Sequence, residues 1–243
     1  MVQRTGAALA AYPKDFCGII RMPMQIDQFY DQEYHSKRHG SLLSDDEYFW
    51  ARAQASQAFY FDQRDLSTKR ILDYGGGIGQ SVAGLEGAIV YDASAEALQA
   101  CQKRDIETVF DTKSLPDESF DLVICRHALE HIPDPLAALQ EMHRLLNAQG
   151  ELFLVLPKEM HYSCSLEPEF LNFHIYGWNF RCINNLLHLA GFQVTENREF
   201  FVLGYRKLLP IRRRFGERIY RQALKLVGRL RRNSELIIWS RKA

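Results

Sequence analysis

Short apolar runs alternate along this chain with longer stretches in which apolar residues recur every third or fourth position, the pattern of strands linked by amphipathic helices. Seven runs read as strands: Arg70 to Tyr74, Ala88 to Tyr91, Glu107 to Phe110, Leu122 to Cys125, Glu151 to Leu156, Phe192 to Phe200 and Glu235 to Arg241. Between them, a helix is expected from about Asp45 to Gln63, opened by a capping box in which Ser44 accepts from the third helical amide and Glu47 reaches back. About two turns of helix fit around Gln80 to Leu85, and another helix begins near Ser94. Pro133-Asp134-Pro135 starts a helix whose apolar face is Leu136, Leu139, Met142, Leu145 and Leu146, with His143 packed among them and Asn147 to Gly150 ending it. A helix from Arg181 to Ala190 stops at Gly191. The order is that of an α/β domain.

Residues 1–66 precede the first strand and form an extension to the domain of residues 67–243. Residues 1–25, with Pro13 and Pro23, read as loosely structured. The aromatics Tyr48, Phe49, Trp50, Phe59, Tyr60 and Phe61 stand at helical spacing, which favours packing against the sheet. A length of 243 residues with 47% hydrophobic and 25% charged residues suits one soluble domain with embellishments. The five cysteines (17, 101, 125, 164 and 182) form no CxxC pair, and no secretory signal or apolar span is evident. They read as free thiols in a reducing cytosol, so a cytoplasmic protein is expected.

Charge is distributed unevenly. The chain is neutral overall, yet residues 206–232 hold eleven Lys or Arg against the single acid Glu217, a local +10 that leaves −10 elsewhere. Within this insertion (residues 204–233), Ile211, Phe215, Ile219, Ala223, Leu226, Val227 and Leu230 recur at helical spacing. Such a helix can pack its stripe on the domain and leave its arginines solvated. It can also lie on an anionic membrane, grip a phosphate-rich acceptor or pair with an acidic partner. Peripheral membrane or lipid-phosphate contact through residues 206–232 is favoured over nucleic acid.

The candidate chemistry gathers after the first strand. Ile71-Leu72-Asp73-Tyr74 empties into a loop with glycine at 75, 77 and 79, where the backbone can take positive φ and approach a ligand; a following helix would offer free amides. A structural turn would use the same glycines. The strand ending at Tyr91 is followed by Asp92, where a nucleoside-binding α/β fold places a carboxylate for ribose hydroxyls. Asp111 follows the third strand. Asp92 could instead cap the helix near Ser94, and Asp111 could open an Asx-turn.

Taken together, Leu72-Asp73-x-Gly75-x-Gly77-x-Gly79, Val90-Tyr91-Asp92-Ala93-Ser94, Asp111 with Leu115-Pro116-Asp117-Glu118-Ser119-Phe120-Asp121, and His127-Ala128-Leu129-Glu130-His131-Ile132-Pro133 resemble the class I S-adenosylmethionine-dependent methyltransferases. The resemblance covers about residues 68 to 200 and resumes at the last strand. It implies a Rossmann-like fold with a seven-stranded, mostly parallel sheet and an antiparallel last strand. It implies S-adenosyl-L-methionine as cofactor: Asp73 and Gly75, Gly77 and Gly79 at the methionine end, Asp92 and Ala93 at the ribose, Asp111 and Thr112 at the adenine, and Arg126 and His127 near the methionine moiety. In that family N-terminal segments often close over the cofactor, so Tyr30, Tyr34 and His35, lying in a polar stretch, are expected in a lid.

The catalytic candidates are His127, His131 and His174. An imidazole titrating near neutrality can take a proton from an attacking hydroxyl, and His127 is the favoured base. Some members of the superfamily hold a divalent metal with a Glu-His pair and a later histidine; Glu130, His131 and His174 match those positions. His127 stands where the metal-dependent RNA enzymes have another glutamate, so no metal is expected. The aromatic segment from Pro157 to Asn179, containing His161, Tyr162, Phe170, Phe173, Tyr176 and Trp178, should shape the acceptor pocket. The expected activity is methyl transfer to a small-molecule, glycan or lipid-linked acceptor, most simply at oxygen. An RNA methyltransferase using the basic insertion, or a non-catalytic cofactor-binding scaffold, would carry the same features.

Overall fold

Seven strands lie side by side in a single sheet: β1 Ile71–Tyr74, β2 Ala88–Tyr91, β3 Glu107–Val109, β4 Phe120–Arg126, β5 Leu146–Pro157, β6 Phe192–Phe201 and β7 Ser234–Lys242. The computed structural model describes residues 40–61, 64–158 and 173–243. The order is β3-β2-β1-β4-β5-β7-β6. β1 pairs in parallel with β2 and β4, and β7 runs antiparallel between β5 and β6. All four positions of β1 are buried, because helices cover both faces of the sheet at its centre.

The helices are α1 Asp46–Tyr60, α2 Ala95–Gln102, α3 Pro135–Leu145, α4 Phe180–Leu189 and α5 Leu209–Leu230. α1, α2 and α5 share one apolar layer with Ile71, Phe153 and Trp239, while α3 and α4 share the other with Leu72, Val123 and Leu154. Phe49, Phe59, Tyr60 and Phe61 are each 6% exposed or less. Burying large side chains stabilises by roughly 1.5–3 kcal/mol apiece, so α1 is a fixed wall on the sheet.

Three local expectations are corrected. The cap of α1 is Asp45, whose carboxylate accepts from Tyr48 N at 2.9 Å; the Ser44 hydroxyl is committed to Gly40 O at 2.7 Å. No helix forms over Gln80 to Leu85. Successive turns, Gly79 N to Gly76 O, Val82 N to Gly79 O and Leu85 N to Val82 O, carry the chain directly to β2, since Gly79, Gly84 and Gly87 all sit at positive φ. Asn147 to Gly150 is a bulge inside β5: Phe120 pairs with Leu146, and the next register pair is Leu122 with Glu151.

The insertion also differs from its pattern. α5 is broken at Gly216, where φ is 80° and ψ 176°. Its buried positions are Leu209, Tyr220, Leu224 and Gly228, whereas Phe215, Ile219, Leu226 and Leu230 of the predicted stripe are exposed. The reason is close approach at Gly228, where an added Cβ would lie 2.4 Å from Val202 N. No helix among the described residues is long and apolar enough to cross a membrane.

Candidate active site

The C-terminal end of β1 delivers Asp73 into the interior, fully buried, and the glycine run folds over it. Gly75 and Gly76 both donate to Tyr91 O, at 2.8 and 3.1 Å, which pins the loop to the end of β2. Gly76 leaves space for the acid, since a Cβ there would stand 2.6 Å from the Asp73 carboxyl. Gly77, at φ 56°, faces open space, with nothing within 4 Å of where a Cβ would stand; it needs glycine for its backbone conformation alone. Neither Asp73 oxygen has a hydrogen-bond partner at ordinary geometry among the described residues. Burial raises its pKa to about 7, against the opposing pull of Arg126 and Ser81.

A cavity of about 1030 Å³ opens beside this loop, lined by Gly75, Gly76 and Gly77, by Arg126, His127, Glu130 and His131, and by the two roots of the insertion. The other sequence-predicted cofactor residues lie along the same strand ends, outside that cavity wall. Asp92 Oδ2 accepts from Gly77 N at 2.8 Å and Oδ1 from Ser94 N at 2.9 Å. It thus braces both the loop and the start of α2, and a carboxylate with about four acceptor sites keeps capacity for a ribose hydroxyl. Ala93 is exposed beside it. Asp111 is exposed and forms the Asx-turn that stood as the alternative to its adenine role, its Oδ1 accepting from Lys113 N at 2.9 Å, while Thr112 is buried under that turn. Gly79 is not among the residues lining the cavity, and a Cβ added there would stand 2.7 Å from Ile106 Cδ1. His143 lies on the far face, its ring 5.1 Å from Phe192.

At the end of β4 the chain makes a sharp departure. His127 adopts φ 51°, a costly conformation for a non-glycine residue, while its amide still donates to Val155 O at 2.9 Å. The imidazole is thereby held between two acids, Nε2 at 3.0 Å from Glu235 Oε1 and Nδ1 at 3.5 Å from Glu130 Oε1. Burial alone would lower its pKa, but the flanking carboxylates hold it above the ordinary value. Glu235, on β7, also accepts from Tyr60 Oη at 2.6 Å. Despite burial, His127, Arg126 and Tyr60 bring its pKa down to about 2. Arg126 lies over the Tyr60 ring, 5.5 Å from its centroid. The two carboxylates thus favour the protonated ring, which makes His127 less suited to be the base than its position in the sequence suggests.

His131 differs. Its Nδ1 faces Phe173 O at 3.0 Å, and its Nε2 is 3.9 Å from Glu130 Oε1. Burial lowers its pKa, with Glu130 opposing, so the ring is neutral at pH 7 with Nδ1 as the donor. Ile175 N and Tyr176 N both donate to Glu130 O, at 2.9 and 3.2 Å, and this dock sets the His174 ring 4.9 Å from that of His131. Ligand atoms of Glu130, His131 and His174 all lie within 4.8 Å of one another, a carboxylate–imidazole set that suits a borderline divalent ion.

Glu235, Arg52 and Gly76 were not singled out by sequence as site residues, and Tyr60 was read only as a packing aromatic. Gly76 stood inside the quoted glycine run; Glu235 and Arg52 carry no local signal. Tyr30, Tyr34, His35, His161, Tyr162 and Phe170, together with Cys17, Cys164 and residues 1–25, lie outside the described residues. Cys101 and Cys125 are buried free thiols and Cys182 an exposed one.

The buried Asp73 carboxylate beside a glycine cradle, with Asp92 bracing the loop, suits a ligand with an ammonium end and a ribose. Comparison with known proteins agrees. Residues 42–197 match the family model described as a methyltransferase domain. A ubiquinone biosynthesis O-methyltransferase of Haemophilus ducreyi is 36% identical over a match covering 37% of this chain and 45% of that protein. One from Pseudomonas syringae is 32% identical, covering 39% and 47%; the match thus spans about half the length of these relatives. Among solved structures, the Haemonchus contortus phosphoethanolamine N-methyltransferase 2 with S-adenosylhomocysteine superposes with a TM-score of 0.59 at 16% identity, over 90% of this chain and 60% of that one. The Burkholderia thailandensis 1,6-didemethyltoxoflavin-N1-methyltransferase gives 0.52 at 16%, over 87% and 84%. The seven-stranded sheet with its antiparallel β7, the glycine cradle and the domain match together make this chain a member of the class I S-adenosylmethionine-dependent methyltransferases.

Proposed function

We propose that the chain methylates a hydroxyl oxygen of a small-molecule, glycan or lipid-linked acceptor held in the cavity between His131 and the insertion. The observation that carries the reading is the contrast between two neighbouring histidines, one held between the carboxylates of Glu130 and Glu235 and the other with Nδ1 on the Phe173 carbonyl. S-adenosylmethionine supplies an electrophilic methyl group on sulfonium. Asp73 receives the ammonium of its methionine end, Asp92 the ribose and Asp111 the adenine amino group. His131 Nε2 accepts the acceptor's hydroxyl proton, with Nδ1 fixed on Phe173 O selecting the tautomer. Glu130, buried between His127 and His131, stabilises the imidazolium that results. Holding nucleophile, methyl and sulfur in line supplies most of the acceleration.

The proximity of Glu130, His131 and His174 favours a second reading at the same atoms. A divalent ion held there would lower the hydroxyl's pKa directly, and His131 would be a ligand. The relatives named as O-methyltransferases support oxygen as the acceptor atom under either reading. The test is methyl transfer from isotopically labelled S-adenosylmethionine to phenolic and sugar hydroxyl panels, with and without EDTA, in wild type and His131→Ala. Labelled methyl ethers that vanish in His131→Ala but persist in EDTA are expected. Loss in EDTA with recovery on adding Mg²⁺ or Zn²⁺ assigns the metal reading, and label found only on nitrogen or carbon would sink O-methylation.

A further inference from the structure

The cavity wall facing the glycine loop is the root of the basic insertion, and the methyl-transfer chemistry uses none of its charges. Two stretches build this wall, 202–208 leading into α5 and 227–233 leading out. Val202 N donates to Asn233 O at 3.3 Å, Asn233 Nδ2 donates to Val202 O at 2.9 Å, and Gly228 packs on the Val202 backbone. The tie brings Arg206 and Lys207 to the same cavity as Arg231, and α1 adds Arg52.

Among the described residues these cations have no carboxylate partner. Among the described residues, Arg206, Lys207 and Arg231 make no ion pair, while elsewhere on the insertion Arg212 is paired with Glu217 and Arg213 with Glu47. Arg52 stands over the Tyr205 ring at 5.4 Å, and its buried Nε has no acceptor among the described residues. The acids on the cavity wall, Glu130 and Glu235, already face His127. Like charges held round a cavity by the fold repel one another, and an entering anion relieves that repulsion. A carboxylate would answer one of the four. A phosphate or diphosphate answers more of the charge, and its oxygens match the fork of a guanidinium.

We propose that Arg52, Arg206, Lys207 and Arg231 form a subsite for a phosphate or diphosphate group carried by the acceptor, an assignment that rests on the methyltransferase reading above. The group sits on a water-soluble ester or on a lipid at a membrane surface. α5 continues from this wall with Phe215, Ile219, Leu226 and Leu230 exposed, so the second source has apolar surface beside it.

The test titrates inorganic pyrophosphate into the full chain saturated with S-adenosylhomocysteine, by calorimetry. Saturable binding is expected, weakened by about tenfold or more in Arg206→Gln/Arg231→Gln. It should change by less than about twofold in Arg229→Gln, an exposed cation off the cavity. S-adenosylhomocysteine affinity in each variant serves as the folding control. Wild-type protein that takes up S-adenosylhomocysteine yet does not bind pyrophosphate, or an equal loss in Arg229→Gln, overturns the subsite and leaves the methyltransferase reading standing. Failure of both ligands overturns the two together. A second arm uses phosphatidylglycerol–phosphatidylcholine vesicles. Co-sedimentation that pyrophosphate displaces, and that Phe215→Ser/Leu226→Ser abolishes, assigns the phosphate to a lipid; pyrophosphate binding without co-sedimentation assigns it to a soluble ester.

Discussion

The two sides of the cavity are built on different principles. On the glycine side the decisive contacts are local and largely backbone: Asp92 reaches Gly77 across 15 residues, and Gly75 N meets Tyr91 O. On the acceptor side they are long-range and made by charged or polar side chains, His127 to Glu235 across 108 residues and Tyr60 to Glu235 across 175. A backbone cradle presents one shape to an invariant ligand. A set of coupled side chains sets charge state as well as shape, so the acceptor side can be retuned by single substitutions while the glycine side cannot.

The largest expected effect breaks the coupled side. Glu235→Ala leaves His127 and Arg126 without their shared acid, and removing one partner of a buried pair costs about 3–5 kcal/mol; urea denaturation should show a loss of that order. The pH dependence has a definite sign. The Glu235 pKa is depressed from 4.5 to about 2, so its contribution is present above the unfolded value and disappears as pH falls toward 2. A wild-type and a Glu235→Ala protein of equal stability at pH 7 would contradict the charge clamp.

Next in size is the cradle. Gly76→Ala puts a methyl against the Asp73 carboxyl, and S-adenosylhomocysteine affinity should fall by about a hundredfold, about 2.8 kcal/mol. If calorimetry finds the affinity within about threefold of wild type, the cradle does not hold the ligand.

A pH-dependent effect sharpens the role of Asp73. Its folded pKa is raised from 3.8 to about 7, so between those values the folded state holds a proton that the unfolded chain releases. Stability therefore declines as pH rises through that window, by at most about 1.4 kcal/mol per unit. An ammonium placed beside Asp73 removes the penalty. The rise in melting temperature on adding S-adenosylhomocysteine should thus be greater at pH 7 than at pH 5, and Asp73→Asn should flatten the difference. Smallest of all, Ile219→Ser on the exposed face of α5 should change stability by no more than about 0.5 kcal/mol, as judged by its urea midpoint.

The same contrast decides what could be read from the sequence. The grouping of Asp73, Gly75, Gly77 and Asp92 was legible because strand, turn and strand follow one another and the parallel pairing of β1 with β2 brings their ends together. The Glu130–His131 pair and His174 were legible as residues, through the resemblance, though their separation was not. Glu235 was not legible, because a glutamate opening an apolar strand carries no mark of the histidine it will meet. The helix expected over Gln80 to Leu85 failed for a local reason, glycines at positive φ. The stripe on α5 failed for a tertiary one: periodicity finds an apolar face, but the small side of Gly228 chose which face the fold would cover.

β7 lies between two strands that are synthesised before it, and it carries the carboxylate that neutralises His127. During translation β5 is complete at Pro157, yet its partner begins only at Ser234, so at about 5–20 residues per second the β5 edge waits roughly 4–15 s. An apolar edge left open for that long is a template for the wrong neighbour. The nascent chain therefore passes through a stage in which cradle and helices can be formed while His127 lacks its Glu235 partner, and a chaperone's hold would matter most then.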